Sequence, residues 1–283
     1  MDDFPDPRYL INCRGLGERL GEVTLIDLRP AEDFAVGHIE GARHLDIYGV
    51  SLNDSSDAPL NAFLAIFQTL FGTRGVSRGR PAVIYDHETG ERAARAVWLL
   101  AVLGHPDVRI LDGGTRAWTA SGNRLARLTE APAPVDPTRA PPTPPAYKGA
   151  KNLGLLATRF DVHRAIDDKE TVIVDVRRES EYRGTEKRAR RVGTIPGAVH
   201  VFWRDHLDKW GAFRPADEIR ALYVSKGIVP ARTIIPFCQG GYRSASTFLA
   251  LKSLGYPSVR NYVGSWAEWG NRDDSSIIFP DPA

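Results

Sequence analysis

The sequence is poor in cysteine. Cys13 and Cys238 are its only two cysteines among 283 residues, and they lie in different halves of the chain. Two thiols so far apart do not suggest a disulfide framework, and neither lies in a metal-ligand spacing. We therefore expect no structural disulfide, no metal and no organic cofactor.

The sequence also lacks a charge excess and a long apolar run. Its 37 Lys and Arg residues nearly balance 35 Asp and Glu residues, so we expect neither a nucleic-acid nor a membrane partner. No apolar run approaches the roughly 18 residues of a membrane span. The first residues, M-D-D-F-P-D-P, are unlike a secretory signal. With so little cysteine, a reducing cytoplasm fits best.

The chain contains an internal repeat. Residues 82–118 align with residues 233–269 without a gap, and about a dozen of these 37 positions are identical. Upstream, L-I-D-L-R at Leu25–Arg29 matches I-V-D-V-R at Ile173–Arg177, and the second copy carries an eight-residue insertion after this motif. The repeat predicts two domains, at 1–127 and 147–283, joined by a proline-rich connector at 128–146.

Each copy alternates short apolar strands with helices, which predicts an α/β domain with a mostly parallel central sheet and helices on both faces. The predicted strands include Ala82–Tyr85, Val108–Leu111, Thr171–Val176 and a run at Ile234–Ile235 that Pro236 should end. The predicted helices include Leu60–Phe71, Arg92–Leu103 and Pro215–Lys226.

The most informative segment is C-Q-G-G-Y-R, at Cys238–Arg243, between a predicted strand and a predicted helix. Gly240 and Gly241 should allow positive φ angles, so that loop N–H groups converge on one point. N–H groups at a helix N-terminus, together with Arg243, favour a thiolate and attract oxyanions. The alternative is that Cys238 is only a small buried apolar residue.

This loop resembles the active-site loop of the tandem-domain rhodanese (thiosulfate sulfurtransferase) family. Three further motifs support the resemblance: D-V-R at Asp175–Arg177, T-I-P-G-A at Thr194–Ala198 and V-G-S-W-A-E-W at Val263–Trp269. The resemblance implies two rhodanese-like domains and a sulfurtransferase that moves a sulfane sulfur through a persulfide on Cys238. The donor would be a small anion, thiosulfate, and the acceptor a thiophile, with cyanide used in assays.

The same resemblance implies roles for the neighbours of Cys238. The loop N–H groups of Gln239, Gly240, Gly241, Tyr242 and Ser244 would stabilise the thiolate and the persulfide. Arg243 would hold the sulfonate of the donor, or would instead only brace the loop through a salt bridge. Arg190, in the basic segment 184–193, matches a substrate-binding arginine of the family, whereas a second such arginine falls on Glu181.

The gapless alignment places His87 opposite Cys238. An imidazole cannot carry a transferable sulfur, and Glu88 and Glu91 add negative charge, so we expect the first domain to be catalytically silent and to wall one side of the cleft. His87 as a catalytic base is the alternative.

Other functions remain open. A 3-mercaptopyruvate sulfurtransferase would have a C-G-S-G-V-T-type loop and both substrate-binding arginines. Rhodanese-like phosphatases place arginine six residues after cysteine, whereas Arg243 is five after Cys238. A persulfide carrier that serves a protein thiol is the non-enzymatic alternative.

Overall fold

The computed structural model describes residues 3–128 and 145–280. Most of the predicted proline-rich connector, 128–146, lies outside the described residues. Within these ranges, no helix has both the length and the apolar character needed to cross a bilayer.

The first repeat is built around one sheet. Its elements are β1 (Leu10–Ile11), α1 (Cys13–Gly17), β2 (Thr24–Asp27), α2 (Ala31–Val36), β3 (Arg43–His44), α3 (Asp57–Thr73), β4 (Ala82–Tyr85), α4 (Glu91–Val102), β5 (Val108–Leu111) and α5 (Gly114–Ala120). In the described part of the chain the strand order is β1-β5-β4-β2-β3, and all pairs are parallel. The two predicted strands and both predicted helices are confirmed, with the helix ends shifted by one to three residues.

The second repeat has the same order of elements. They are β6 (Leu156–Ala157), α6 (Arg159–Ala165), β7 (Thr171–Asp175), α7 (Glu179–Tyr182), β8 (Val199–His200), α8 (Ala216–Val224), β9 (Thr233–Phe237), α9 (Arg243–Ser253), β10 (Asn261–Tyr262) and α10 (Ser265–Trp269). Parallel pairs join β8-β7-β9 and β10-β6, and a bridge between Ile234 and Val259 links the two groups. The resulting order, β6-β10-β9-β7-β8, reproduces that of the first repeat.

The prediction that Pro236 ends its strand is wrong. β9 continues to Phe237, and Pro236 pairs with Val174. In β9, Thr233 and Phe237 bond to the β7 side, whereas Ile234 bonds to residues 258 and 260 on the other side. Pro236 has the orientation of Ile234, so its missing N–H faces away from β7 and costs the β7–β9 ladder no hydrogen bond.

Both sheets are buried on two faces. In β4, Ile84 belongs to one apolar cluster and Val83 to another, as alternating side chains require. The cluster that contains Ile84 also contains Ile234 of β9. The two repeats therefore share one continuous core, and α4 packs against α9 within it. This packing holds the end of β9 and the start of α9 against the first repeat.

Candidate active site

Cys238 lies between the end of β9 and the start of α9. Its side chain is fully buried, yet it lines a cavity of about 440 Å³ between the repeats. The second repeat contributes the Cys238 loop, Phe202, Trp203, Arg178 and Arg188, and the first contributes Tyr48, Gly49, Ser51 and Glu91. The first repeat thus forms one wall of the cleft, as predicted.

The N-terminus of α10 fixes the orientation of the Cys238 loop. The carbonyl oxygens of Cys238 and Gln239 accept hydrogen bonds from the N–H groups of Trp266 and Ala267, at 2.9 and 2.8 Å. The N–H of Cys238 donates to Ser265 Oγ at 3.1 Å, and this hydroxyl donates to Tyr262 O. Both carbonyl groups are therefore held toward α10.

One of the two predicted glycine conformations is confirmed. Gly241 has φ 81°, in the left-handed region that favours glycine. Gly240 does not have a positive φ, so that prediction is wrong. Its small size matters instead, because a Cβ at Gly240 would lie 3.1 Å from Ser51 Oγ of the first repeat. Gly240 thus allows the two walls of the cleft to approach closely.

The surroundings of the Cys238 sulfur favour its anion. The hydroxyl of Ser244 donates to Sγ at 3.5 Å. Burial raises the pKa of the Cys238 thiol, but the nearby Arg243 charge lowers it, and so do the Ser244 hydroxyl and the loop N–H groups. The net pKa lies below that of an ordinary cysteine.

Arg243 is held by Glu181. Its Nη1 and Nη2 donate to the two carboxylate oxygens of Glu181 at 2.5 and 2.9 Å, and both side chains are buried. Burial raises the pKa of Glu181, but the hydrogen bonds and charge of Arg243 outweigh burial and lower it to about 2. This pair is the bracing salt bridge considered as the alternative role of Arg243, although Arg243 also lines the cavity. Glu181, at the position where the resemblance implies a second substrate-binding arginine, is instead the partner of Arg243.

Two other loop residues face different neighbours. Gln239 Nε2 donates to the carbonyl oxygen of Arg188 at 2.9 Å. The Tyr242 hydroxyl donates to the carbonyl oxygen of Ile47, in the first repeat, at 2.6 Å. Tyr242 therefore ties the Cys238 loop to the opposite wall of the cleft.

The expected position of Arg190 is corrected. Its guanidinium pairs with Asp273, and it lines a separate surface depression with Arg191 and Phe279. Arg188, two residues earlier, lines the cavity that contains Cys238. The basic composition of residues 184–193 identified a segment that borders the cavity, but it could not indicate which of its arginines lines the cavity.

Sequence reasoning missed Ser265. Its φ is 50°, unusual for a residue with a side chain, and its hydroxyl accepts the Cys238 N–H. The corresponding residue of the first repeat is Gly114, with φ 54°. The available signal in the sequence was the alignment of Ser265 with a glycine, Gly114, in the other repeat.

The residue opposite Cys238 in the first repeat is Asp86 and not His87. Tyr85 pairs with Asp27 in one sheet, as Phe237 pairs with Asp175 in the other. Likewise, Thr115 N–H donates to Asp86 O, as Trp266 N–H donates to Cys238 O. The gapless alignment is therefore shifted by one residue in the strand, because the first loop contains one additional residue before the helix.

The Asp86 carboxylate fills the cradle of its own loop. It accepts N–H groups from Glu88, Gly90 and Ala93 at 3.1 to 3.2 Å. Burial raises the pKa of Asp86 to about 6, although these hydrogen bonds oppose the shift. The His87 side chain is half exposed and contacts Asp33 at 3.1 Å.

A family model described as a rhodanese-like domain matches the chain twice, at residues 15–121 and 158–272. The chain belongs to the rhodanese family. This rhodanese is 36% identical over 279 residues to the thiosulfate sulfurtransferase of Pseudomonas aeruginosa, a match that covers 98% of this chain and 99% of that protein. It is 32% identical to the sulfur carrier protein TtuD of Thermus thermophilus, with 95% of each chain covered.

Among solved structures, this rhodanese resembles SseA from Escherichia coli, which is described as a 3-mercaptopyruvate sulfotransferase. The TM-score is 0.72 at 27% identity, covering 92% of this chain and 99% of SseA. The predicted pair of α/β rhodanese domains and the predicted sulfurtransferase class are confirmed.

Proposed function

We propose that this rhodanese transfers a sulfane sulfur from thiosulfate to a thiophilic acceptor through a persulfide on Cys238. The observation that carries the proposal is the position of Cys238 Sγ, buried in an interdomain cavity with its pKa lowered. Full-length similarity to thiosulfate sulfurtransferases supports the choice of donor.

The reaction would be a double displacement. The Cys238 thiolate attacks the outer sulfur of thiosulfate, the S–S bond of the donor breaks, and sulfite leaves with the bonding electrons. The acceptor, such as cyanide, then attacks the terminal sulfur of the persulfide, which releases thiocyanate and restores the thiolate. Such covalent catalysis predicts ping-pong kinetics.

Loop N–H groups from Gln239 to Ser244 would stabilise each anionic sulfur species, together with the Ser244 hydroxyl. Arg243 would act chiefly by its charge, since two of its nitrogens are bound to Glu181. Arg188 is the cation that we assign to the sulfonate of the donor, because it lines the cavity and remains 40% exposed. Arg190, which lies outside the cavity, is not assigned a role.

The state of Arg243 also supports thiosulfate over 3-mercaptopyruvate. The resemblance implies that two arginines hold the carboxylate of 3-mercaptopyruvate, whereas this chain has Glu181 at one of these positions, where its own carboxylate takes two nitrogens of Arg243. Glu181 has its pKa lowered to about 2, so it stays ionised and keeps this place. We therefore expect 3-mercaptopyruvate to be the poorer donor.

A second candidate function is persulfide delivery to a protein thiol. Its support is the full-length similarity to a sulfur carrier protein. In that case the persulfide would be stable toward small acceptors and would discharge rapidly only to a protein.

The test is a donor panel read by intact-protein mass spectrometry. Incubation with thiosulfate should add the mass of one sulfur atom, 3-mercaptopyruvate should add it more slowly, and cyanide should remove it. The Cys238→Ser variant should show no adduct, whereas Cys13→Ser should behave as the wild type. An adduct that persists in Cys238→Ser would refute the assignment.

A further inference from the structure

Arg95, on α4 of the first repeat, is a fully buried cation that has no carboxylate partner among the described residues. Its side chain is 0% exposed. None of its three guanidinium nitrogens has a hydrogen-bond partner among the described residues. Arginine stays protonated in proteins, so a positive charge is buried in the core that the two repeats share.

Two other buried arginines of this chain show the usual arrangement. Arg29 donates from Nε and Nη2 to Asp27 at 3.0 and 2.6 Å. Arg177 does the same with Asp175 at 2.9 and 2.6 Å. A buried charge without such a partner is strongly destabilising unless another anion compensates for it. Since no aspartate or glutamate of the described residues pairs with Arg95, another anion must compensate for its charge.

Of three aromatic rings around the Arg95 guanidinium, the nearest belongs to the Cys238 loop. Its central carbon lies 3.8 Å from the ring centroid of Tyr242, with Phe63 and Phe67 at 5.6 and 5.8 Å. Aromatic faces offset part of the cost of burying the cation. Tyr242 cannot turn away, because its hydroxyl is bound to Ile47 O. Arg95 is thus fixed behind the loop, on the side of the first repeat.

The anion that the loop is built to hold is the sulfur of Cys238. Burial lowers the pKa of Arg95, and attraction first to Tyr242 and then to Cys238 opposes this lowering. At the corresponding position of α9 stands Ser246, which bonds to His206, so the repeat places this cation on only one of the two packed helices.

Other charged and titratable groups also face the Cys238 site. They are Arg243 on α9, bound to Glu181 on α7; Glu91 at the start of α4; Arg178, Arg188, Tyr48 and Tyr242 around the cavity; and Glu268 on α10, bound to Ser55 and Tyr262. The other cations in this set all have a carboxylate partner: Arg243 and Arg188 contact Glu181, and Arg178 contacts Glu181 and Glu186. Arg95 differs because its charge is fully buried and no carboxylate of the described residues pairs with it.

We propose that Arg95 is a positioning residue that the catalytically silent domain supplies to the active site. It fixes Tyr242 by stacking, and its uncompensated charge stabilises the anionic sulfur of Cys238. This inference rests on the proposed function, in which Cys238 reacts as an anion.

The test measures the thiol directly and requires no donor. In a Cys13→Ser background, the rate of alkylation of Cys238 by iodoacetamide is followed across the pH range in which a thiol titrates. Arg95→Met should shift the profile upward by about one pH unit, equal to about tenfold less thiolate at lower pH. Arg95→Lys, which keeps the charge, should restore most of the wild-type profile.

The matched control is Phe63→Leu, which loosens the same aromatic cluster and keeps the charge. It should lower thermal stability without moving the alkylation profile. A folded Arg95→Met protein with the wild-type profile would overturn the inference, and so would an equal shift in Phe63→Leu. If Arg95→Met does not fold, Arg95→Gln is judged by the same criterion.

Thiosulfate loading of the wild type separates the two proposals. A sulfur adduct on Cys238 without an effect of Arg95→Met on the profile would refute the role of Arg95 alone. A shifted profile without an adduct would refute thiosulfate as donor and would leave the role of Arg95 supported.

Discussion

The loops that follow β4 and β9 have the same scaffold and hold different anions. Each leaves a parallel strand and accepts hydrogen bonds on its carbonyl oxygens from the start of the second helix along the chain, α5 or α10. Each also begins a helix that ends at a glycine with φ near 80°, Gly104 or Gly255. In the first loop the N–H groups bind the carboxylate of Asp86, and in the second the corresponding groups face Cys238. The backbone thus provides an anion site in both repeats, and the residue at its centre decides whether that site can do chemistry.

The most direct test of this comparison changes the residues at the centres of the two loops, Cys238 and Asp86. Cys238→Ser should abolish sulfur transfer. In that background together with Cys13→Ser, Asp86→Cys should place a thiol among the N–H groups of the first loop, whereas His87→Cys should place one at the surface. We expect Asp86→Cys to be alkylated about tenfold more slowly at neutral pH, because burial outweighs the loop N–H groups at this position, as the raised pKa of Asp86 indicates, and a thiol pKa about one unit higher leaves about tenfold less thiolate.

Equal alkylation of the two engineered thiols would contradict this expectation. Faster reaction of Asp86→Cys would show that the N–H groups of the first loop stabilise a thiolate without an arginine such as Arg243. Circular dichroism of each variant provides the control for folding.

The second comparison concerns the arginine that closes each loop. Arg243→Ala would leave the buried Glu181 carboxylate with only the longer ion pairs to Arg178 and Arg188, at 3.5 and 3.9 Å, and loss of its main partner should cost up to about 3 to 5 kcal/mol. Arg243→Ala with Glu181→Ala should recover much of this stability, but the Cys238 thiol pKa should remain raised in both variants, because the positive charge is absent. Chemical denaturation and the pH profile of alkylation measure the two effects separately.

If the double variant also regains the wild-type thiol profile, Arg243 serves only to neutralise Glu181. In the first repeat, Arg92 lies over Tyr48 and has no such carboxylate pair among the described ion pairs. Arg92→Ala is therefore the matched variant, and it should cost far less stability.

Much of this architecture could be predicted from sequence, because the deciding signals were local or repeated. The Cys238 loop, the strands Ala82–Tyr85 and Val108–Leu111 and the helix that starts near Arg243 follow from composition and periodicity. The position of Asp86 could not be predicted, since identical residues in the helix and beyond fixed the alignment and concealed a one-residue difference in the loop. The role of Arg95 could not be predicted either, because it depends on the contact of Arg95 with Tyr242 in the second repeat.

A third prediction concerns pH. The pKa of Asp86 is raised from 3.8 to about 6 in the folded protein, chiefly by burial. Between these values the unfolded chain releases its proton while the folded protein keeps it, so stability falls as the pH rises from about 4 to about 6. The total loss of stability from this group is about 3 kcal/mol, which is the free energy that corresponds to the difference between the two pKa values. Asp86→Asn should remove this part of the pH dependence.

The measurement is the free energy of unfolding of both proteins from acidic to neutral pH. Asp112 is also buried with a raised pKa, so only the difference between wild type and Asp86→Asn isolates Asp86. A constant difference across this range would contradict the prediction.

The smallest effect is expected for a change at Ser265, the left-handed first residue of α10. Ser265→Gly removes the hydroxyl that accepts the Cys238 N–H, and it also relieves about 1 to 2 kcal/mol of backbone strain. Stability should therefore change by about 1 kcal/mol or less, while kcat/KM falls several-fold because the loop is less well fixed. The reciprocal Gly114→Ser should be much worse, since a Cβ there would lie 2.5 Å from Asp86 O. If Ser265→Gly leaves kcat/KM unchanged, the carbonyl bonds of the loop to α10 are sufficient to hold Cys238, and the strained serine contributes nothing to catalysis.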